Sequence, residues 1–242
     1  MRSDLPPPVI PRKVTILMPA HNEEESLKWL LPRLVQTLEA LELPCETIIV
    51  DDGSTDQTAQ IAVRYGLKVV KNPFRRGKGA SIRQGLRYAS GNCVVTMDAD
   101  GSNVPTDLPS LIKPIMKGNA DVVIGSRFEQ QLAGSAQEPF IRRIGNAFFN
   151  LAIFLSTGFP VTDSQSGYRA FSRQVLVSVP TYTNGFEWET EVLLKVVKGG
   201  YRIVDVPIHY KERVAGVSRL ALLSDSIKFL TLIVRGQLGT LK

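Results

Sequence analysis

Two carboxylates, Asp98 and Asp100, stand one residue apart at the end of the apolar run Cys93-Val94-Val95-Thr96-Met97, and Gly101 follows at once. Such a run reads as a buried strand, and the glycine lets the chain turn sharply away. At a strand's carboxyl end, Asp98-Ala99-Asp100 can offer hard oxygen ligands to Mg²⁺ or Mn²⁺, ions that keep several waters and also take substrate phosphates. That chemistry implies a phosphorylated, nucleotide-linked substrate. The same residues also make an ordinary solvated turn, with aspartate bonding backbone amides and glycine at positive φ. The metal reading therefore gains its weight from the other motifs of the chain.

Those motifs recur after each early strand: Pro19-Ala20-His21-Asn22-Glu23-Glu24, Asp51-Asp52-Gly53-Ser54 and Arg76-Gly77-Lys78-Gly79. Asp51 or Asp52 can accept hydrogen bonds from a base N–H or a ribose hydroxyl, while Asp52-Gly53-Ser54 also serves as a turn and helix cap. His21 is either a surface loop histidine or a base contact. Lys78 sits at a glycine-flanked helix start, where free backbone N–H groups and a cation could both face phosphate; the alternative is a solvated lysine. Arg127, in Gly125-Ser126-Arg127, and the pair Arg142-Arg143 carry guanidinium groups suited to bidentate phosphate binding.

The elements that must position these residues alternate. Strands are expected at Lys13–Met18, Thr47–Val50, Lys68–Lys71, Cys93–Met97 and Asp121–Ile124, with helices at Glu23–Leu41, from Ser54 or Thr55 to about Tyr65, at Gly79–Ala89 and at Asp107–Lys117. Alternation of this kind implies a parallel sheet with right-handed crossovers, whose ligands bind outside the strands' carboxyl ends. The glycine pattern matches neither a dinucleotide fingerprint nor a Walker loop.

With 242 residues, 43% of them hydrophobic, the chain is long enough for one α/β domain with a sizeable core. Its net charge of +6 suits anionic substrates or an anionic membrane surface, but no dense Lys/Arg tract interleaved with aromatics points to nucleic acid. Cys45 and Cys93 sit in apolar contexts and read as reduced core residues of a cytoplasmic protein. Residues 1–12 form a short proline-rich tail without the apolar stretch of a secretory signal.

Taken in series over Lys13 to Ser218, these motifs resemble the family-two inverting glycosyltransferases of the GT-A fold, most of all the dolichyl- or polyprenyl-phosphate mannose synthases. The resemblance implies a mostly parallel sheet flanked by helices, in a GT-A domain over 13–219 followed by an amphipathic helix over 220–242. It implies that Pro19, His21, Glu23, Asp51, Asp52, Lys78, Asp98, Ala99 and Asp100 bind a nucleotide-sugar, with His21 where relatives usually carry tyrosine. Asp163-Ser164-Gln165-Ser166-Gly167-Tyr168-Arg169 matches an element that borders the acceptor site in the family, which sets Gln165 at an acceptor phosphate, and one or two of Arg127, Arg142 and Arg143 are expected to hold that phosphate or the donor diphosphate. Arg213-x-x-Gly216-x-Ser218-Arg219 resembles a loop that closes over the diphosphate, which singles out Arg213 and Ser218.

The expected reaction is inverting transfer of a hexose, mannose from GDP-mannose, to a polyprenyl phosphate. Asp98 and Asp100 would hold Mg²⁺ or Mn²⁺, and Arg127 and Asp163 would stand among the catalytic groups. A phosphate acceptor is already anionic and needs no strong base; a sugar hydroxyl would need one, and Asp163 or Glu187 would then be the candidates. Glu189 and Glu191 read as first-turn carboxylates favoured by a helix dipole. Two apolar stretches, Ile144–Phe159 behind Arg142-Arg143 and Leu220–Leu238, suit either core helices or helices lying in a membrane interface, which would place the enzyme peripherally on the cytoplasmic face. The alternatives are a transferase using UDP-glucose or another donor with a saccharide or soluble acceptor, a sugar nucleotidyltransferase, and a scaffold with a decayed site. A nucleotidyltransferase should carry a glycine-rich basic signature after the first strand, where this chain has Pro19-Ala20-His21-Asn22-Glu23.

Overall fold

A computed structural model describes residues 13–129, 132–133, 135–136, 139–215 and 228–234. The tail over 1–12, Ser218 and most of the 220–242 segment lie outside the described residues.

Valine- and isoleucine-rich runs form the strands of one sheet: β1 (Val14–Ala20), β2 (Cys45–Asp52), β3 (Lys68–Asn72), β4 (Cys93–Thr96), β5 (Val122–Ser126), β6 (Arg169–Ser172) and β7 (Ile203–Pro207). Among the described residues it has seven strands in the order β3-β2-β1-β4-β6-β5-β7. β6 runs antiparallel to both β4 and β5, and the other pairs are parallel. The helices are α1 (Glu24–Ala40), α2 (Thr58–Arg64), α3 (Lys78–Leu86), α4 (Leu108–Met116), α5 (Phe140–Thr157), α6 (Arg173–Ser178) and α7 (Trp188–Lys198). Both faces of the sheet are covered, which is why its central strands are apolar throughout. One core layer gathers Leu27, Leu30, Leu31 and Leu34 of α1 with Leu111 and Ile115 of α4. The other gathers Ile82 of α3 with Val192 and Leu193 of α7 and Phe149 and Ile153 of α5.

The strands and helices expected between Lys13 and Ile124 are all present, and the largest shift of a start is in the second helix. The second helix opens at Thr58 rather than at Ser54 or Thr55. Asp51 Oδ1 accepts Ser54 N, and Asn22 Oδ1 accepts Thr55 N, so these residues are held in the loop, while Asp56 Oδ1 accepts Thr58 N at the helix entrance. The two apolar stretches separate. Phe229, Leu232 and Ile233 are buried, and Phe229 packs edge-on against Phe149, so one face of 228–234 belongs to the core. Helix α5 buries Phe149 and Ile153 but exposes Phe140, Ile144, Phe148, Leu151 and Leu155. Among the described residues, no helix is long and apolar enough to cross a membrane.

At the amino ends of the central strands, Glu46 fastens β2 to its neighbours. Its carboxylate accepts hydrogen bonds from Thr15 Oγ1 (2.6 Å), Ser90 N (2.6 Å), Ser90 Oγ (2.9 Å) and Lys13 Nζ (3.1 Å). Burial alone would raise its pKa, but these donors outweigh burial and bring it down from 4.5 to about 2. A carboxylate with a depressed folded-state pKa stabilises the fold above its unfolded pKa and loses that contribution as pH falls through the folded value. Glu46→Gln should therefore melt below wild type at neutral pH, with a gap that narrows from pH 4.5 downward and closes near pH 2. A gap that stays constant across this window in thermal melts would contradict the assignment.

Candidate nucleotide-sugar site

The strand order reverses direction between β1 and β4, and loops leaving neighbouring strands in opposite directions open a crevice at such a point. A cavity of about 490 Å³ lies there, lined by Pro19, Ala20, His21, Glu23, Asp52, Lys78, Asp98, Ala99, Asp100 and Arg213, together with Arg75, Arg76, Gly77, Gly185, Phe186 and Lys228. Four of the sequence motifs thus meet in one place. Arg127, Arg142, Gln165 and Asp163 do not line this cavity, and neither does Asp51, whose carboxylate is taken up by Ser54.

Each of the paired carboxylates has its own cation. Asp98 Oδ1 lies 2.5 Å from Lys78 Nζ, and Asp100 Oδ2 accepts a hydrogen bond from Arg213 at 2.8 Å. The other oxygen of Asp100 caps its own turn, accepting Ser102 N at 3.0 Å and Ser102 Oγ at 2.6 Å. Lys78 is not a solvated lysine: its side chain is 10% exposed, and its Nζ also lies 2.6 Å from Glu189 Oε1. Burial alone would lower its pKa, but the charges of Asp98 and Glu189 outweigh burial and raise it above the ordinary lysine value.

The backbone around Lys78 differs from expectation. The first amides of α3 do not stand free for a phosphate, because Gly79 N and Ala80 N donate to the carbonyls of Gly185 and Asn184. Gly77, at φ 99°, is what permits that close approach, since a Cβ there would strike Asn184 O. Nor does Asp52 point its carboxylate to a base. It accepts Asn72 Nδ2 (2.8 Å), Arg76 N (2.9 Å) and Gly77 N (2.8 Å), and so fixes the loop that carries Lys78. His21 Nδ1 donates to the Asp52 carbonyl at 2.7 Å, which assigns the proton to that nitrogen and leaves Nε2 for a ligand.

Arg213 is placed by a strap that follows β7. His209 bonds both oxygens of Asp107 at 2.7 Å, Lys211 N donates to Ser102 O, and Val214 N donates to Asp100 O. The guanidinium consequently reaches Glu23 Oε1 at 3.2 Å as well as Asp100. Arg127 and Asp163 form a bidentate pair, 2.7 Å and 2.9 Å, beside the Tyr210 ring. With its carboxylate wholly buried and doubly held by a guanidinium, Asp163 is not placed to take a proton from a substrate hydroxyl. Arg142 reaches the Tyr210 hydroxyl at 3.5 Å, in the same region as Arg127, whereas Gln165 Nε2 lies toward Ser164 and Thr190.

The sequence alone did not bring out Glu189. A glutamate in the first turn of a helix is commonplace, and only its burial among Trp188, Thr190 and Glu191 marks it out. Gly167 is a second such residue. Its bare Cα lies against the Lys78–Asp98 pair, where a Cβ would meet Lys78 Nζ and stand 2.7 Å from Asp98 Oδ2.

Two adjacent carboxylates fit a hard divalent ion that shares its coordination with waters and phosphates. Among the described residues no group of three or more His, Cys, Asp or Glu could by itself hold a metal ion. Gly167→Ala would set a methyl group against both Lys78 Nζ and Asp98 Oδ2, so it should displace the carboxylate as well as the ammonium and weaken nucleoside-diphosphate binding in the presence of Mn²⁺ by about 10–100-fold, the usual effect of disturbing a supporting contact, while the melting temperature moves little. Unchanged affinity by calorimetry would show that this close packing does not matter to the site.

Residues 15–179 match Glycosyl transferase family 2. Dolichol-phosphate mannosyltransferase of Pyrococcus furiosus is 32% identical over 216 residues, which cover 86% of this chain and 59% of that protein. An uncharacterised protein of Methanocaldococcus jannaschii is 32% identical over 203 residues, covering 81% of this chain and 80% of its own. Among solved structures, glucosyl-3-phosphoglycerate synthase of Mycobacterium tuberculosis, in complex with Mn²⁺, UDP and phosphoglyceric acid, superposes with a TM-score of 0.71 at 24% identity, covering 95% of this chain and 78% of that one. The fold is that of the GT-A glycosyltransferases, and the chain belongs to glycosyl transferase family 2.

Proposed function

We propose that the protein transfers a hexose from a nucleoside-diphosphate sugar to a phosphate-bearing acceptor, with Mg²⁺ or Mn²⁺ and with inversion at the anomeric carbon. The observation that carries this is the meeting of Asp98 and Asp100 with Lys78 and Arg213 in one cavity at the switch point of the sheet. Asp98 and Asp100 would hold the ion, which when bound supplies countercharge to the diphosphate. Lys78, Arg213, Arg75 and Arg76 add positive charge where negative charge gathers on the leaving nucleotide. His21 Nε2, Pro19 and Glu23 would meet the nucleoside, and Asp52 and Asp51 act through the loops they hold.

A phosphate oxygen is already anionic near neutral pH, so the attack needs no strong base, in keeping with Asp163 being tied to Arg127. Arg127 and Arg142, brought together beside Tyr210, are the groups offered to the acceptor's phosphate, while Gln165, two residues after Asp163, turns toward Ser164 and Thr190. One reading of the partners is UDP-glucose with a soluble phosphorylated acceptor, supported by the UDP-glucose and phosphoglyceric acid bound in the structural neighbours. A second, GDP-mannose with a polyprenyl phosphate at the cytoplasmic face of a membrane, is supported by the Pyrococcus relative and by α5. Phe140, Ile144, Phe148, Leu151 and Leu155 form an exposed apolar stripe on that helix next to the exposed Arg142 and Arg143, a combination suited to anionic lipid.

The test is radiolabelled UDP-glucose and GDP-mannose, each with phosphoglycerate or with polyprenyl phosphate in detergent, with Mn²⁺, Mg²⁺ or EDTA. Metal-dependent label in an aqueous phosphorylated product supports the first reading, and label in the organic phase the second. Asp98→Asn should lower either by about 10²–10³-fold. Absence of transfer and of donor hydrolysis in every combination would contradict the proposal. On the second reading the protein also floats with anionic vesicles, and Phe148→Ser/Leu155→Ser releases it.

A further inference from the structure

Glu189 has no role in the transfer as set out above, yet its surroundings are not those of a carboxylate that merely favours a helix dipole. It is 3% exposed in the first turn of α7, and its Oε1 lies 2.6 Å from Lys78 Nζ. Neither of its oxygens receives a hydrogen bond from another group among the described residues. The buried guanidinium of Arg169 spends its N–H groups on the carbonyls of Ser166, Glu189 and Ser164. A carboxylate so deeply buried is costly unless an opposite charge accompanies it, and here that charge is Lys78. The same ammonium lies 2.5 Å from Asp98, one of the two carboxylates read as metal ligands.

We infer that Glu189 is the positioning residue that lets Lys78 serve two partners in turn, a role that presupposes Asp98 as a metal ligand. Lys78 neutralises Asp98 until a divalent ion takes that carboxylate. It then stays anchored on Glu189 at the wall of the cavity, with its remaining N–H bonds free for the donor's phosphates. Without Glu189 the exchange would strand an ammonium whose side chain is 10% exposed, so Lys78 would compete with the ion for Asp98. With Glu189, one ion pair gives way while the other persists. The charges agree: Lys78, Asp98 and Glu189 together carry one net negative charge, which still attracts a cation, whereas glutamine at 189 would leave none. Gly167 packs its bare Cα against the Lys78–Asp98 pair, where a Cβ would collide with both groups.

The experiment is titration of the full chain with Mn²⁺, followed by electron paramagnetic resonance, on wild type, Glu189→Gln and the double variant Lys78→Met/Glu189→Gln. Glu189→Gln should weaken Mn²⁺ binding about tenfold, the lower end of what losing a supporting partner costs. The double variant removes the competing ammonium and should bind Mn²⁺ at least as tightly as wild type, while holding UDP more weakly at saturating Mn²⁺. Recovery of this kind is something a merely structural role would not give. If Glu189→Gln folds poorly, Glu189→Asp, which keeps the charge but draws it back from Lys78, should show the same direction of change. Mn²⁺ binding that Asp98→Asn abolishes but Glu189→Gln leaves unchanged, or that stays weak in the double variant, overturns the positioning role alone. Failure of wild type to bind Mn²⁺ in a manner sensitive to Asp98→Asn overturns the metal reading, and this inference with it.

Discussion

Two carboxylates one residue apart repel each other, and Asp98 and Asp100, with side chains 30% and 15% exposed, are only partly screened by water. They can stand so close because each has a cation brought from a distant part of the chain, Lys78 from the start of α3 and Arg213 from the strap after β7. Much of the surrounding architecture serves to deliver those two charges. Asp52 clamps the Arg76–Gly77 backbone, the Asn184–Gly185 carbonyls occupy the first amides of α3, and Asp107 grips His209. Loss of any of these would free a cation and leave a carboxylate exposed to its neighbour.

This arrangement also accounts for why the site looks self-sufficient and yet suits a charged ligand. On the proposed function, a pair of carboxylates held by side-chain cations is neutralised at rest and becomes available to a divalent ion. Lysine suits such an exchange because its ammonium is a compact point charge on a flexible stem. Arginine suits the other half, since its fork can bridge Glu23 and Asp100 at once and later meet two phosphate oxygens. The bidentate Arg127–Asp163 pair, by contrast, has a wholly buried carboxylate, which fixes the Arg127 guanidinium beside Tyr210.

The sheet and the Asp98–Asp100 turn were legible in the sequence because both rest on local rules: apolar runs of strand length, punctuated by glycine and aspartate at the strand ends. The antiparallel β6 between β4 and β5 was not, since no local pattern in Arg169-Ala170-Phe171-Ser172 reports which neighbours it pairs with. The same holds in the site. That His21, Glu23, Lys78 and Asp100 share a cavity follows from strand order, whereas the use of Asp52 as a loop clamp and of Glu189 as a partner for Lys78 depends on contacts 25 and 111 residues apart in the chain (77 − 52 and 189 − 78). Burial decides such roles, and a single glutamate in a helix's first turn carries no sign of it.

The most direct test of the account is anomalous scattering from a crystal of the protein grown with Mn²⁺ and a nucleoside diphosphate. A manganese peak within coordination distance of Asp98 or Asp100, with Lys78 withdrawn from Asp98 and the diphosphate between the ion and Arg213, is the predicted result. A bound nucleotide with no manganese at these carboxylates, or with Lys78 and Arg213 still paired to them, would contradict it.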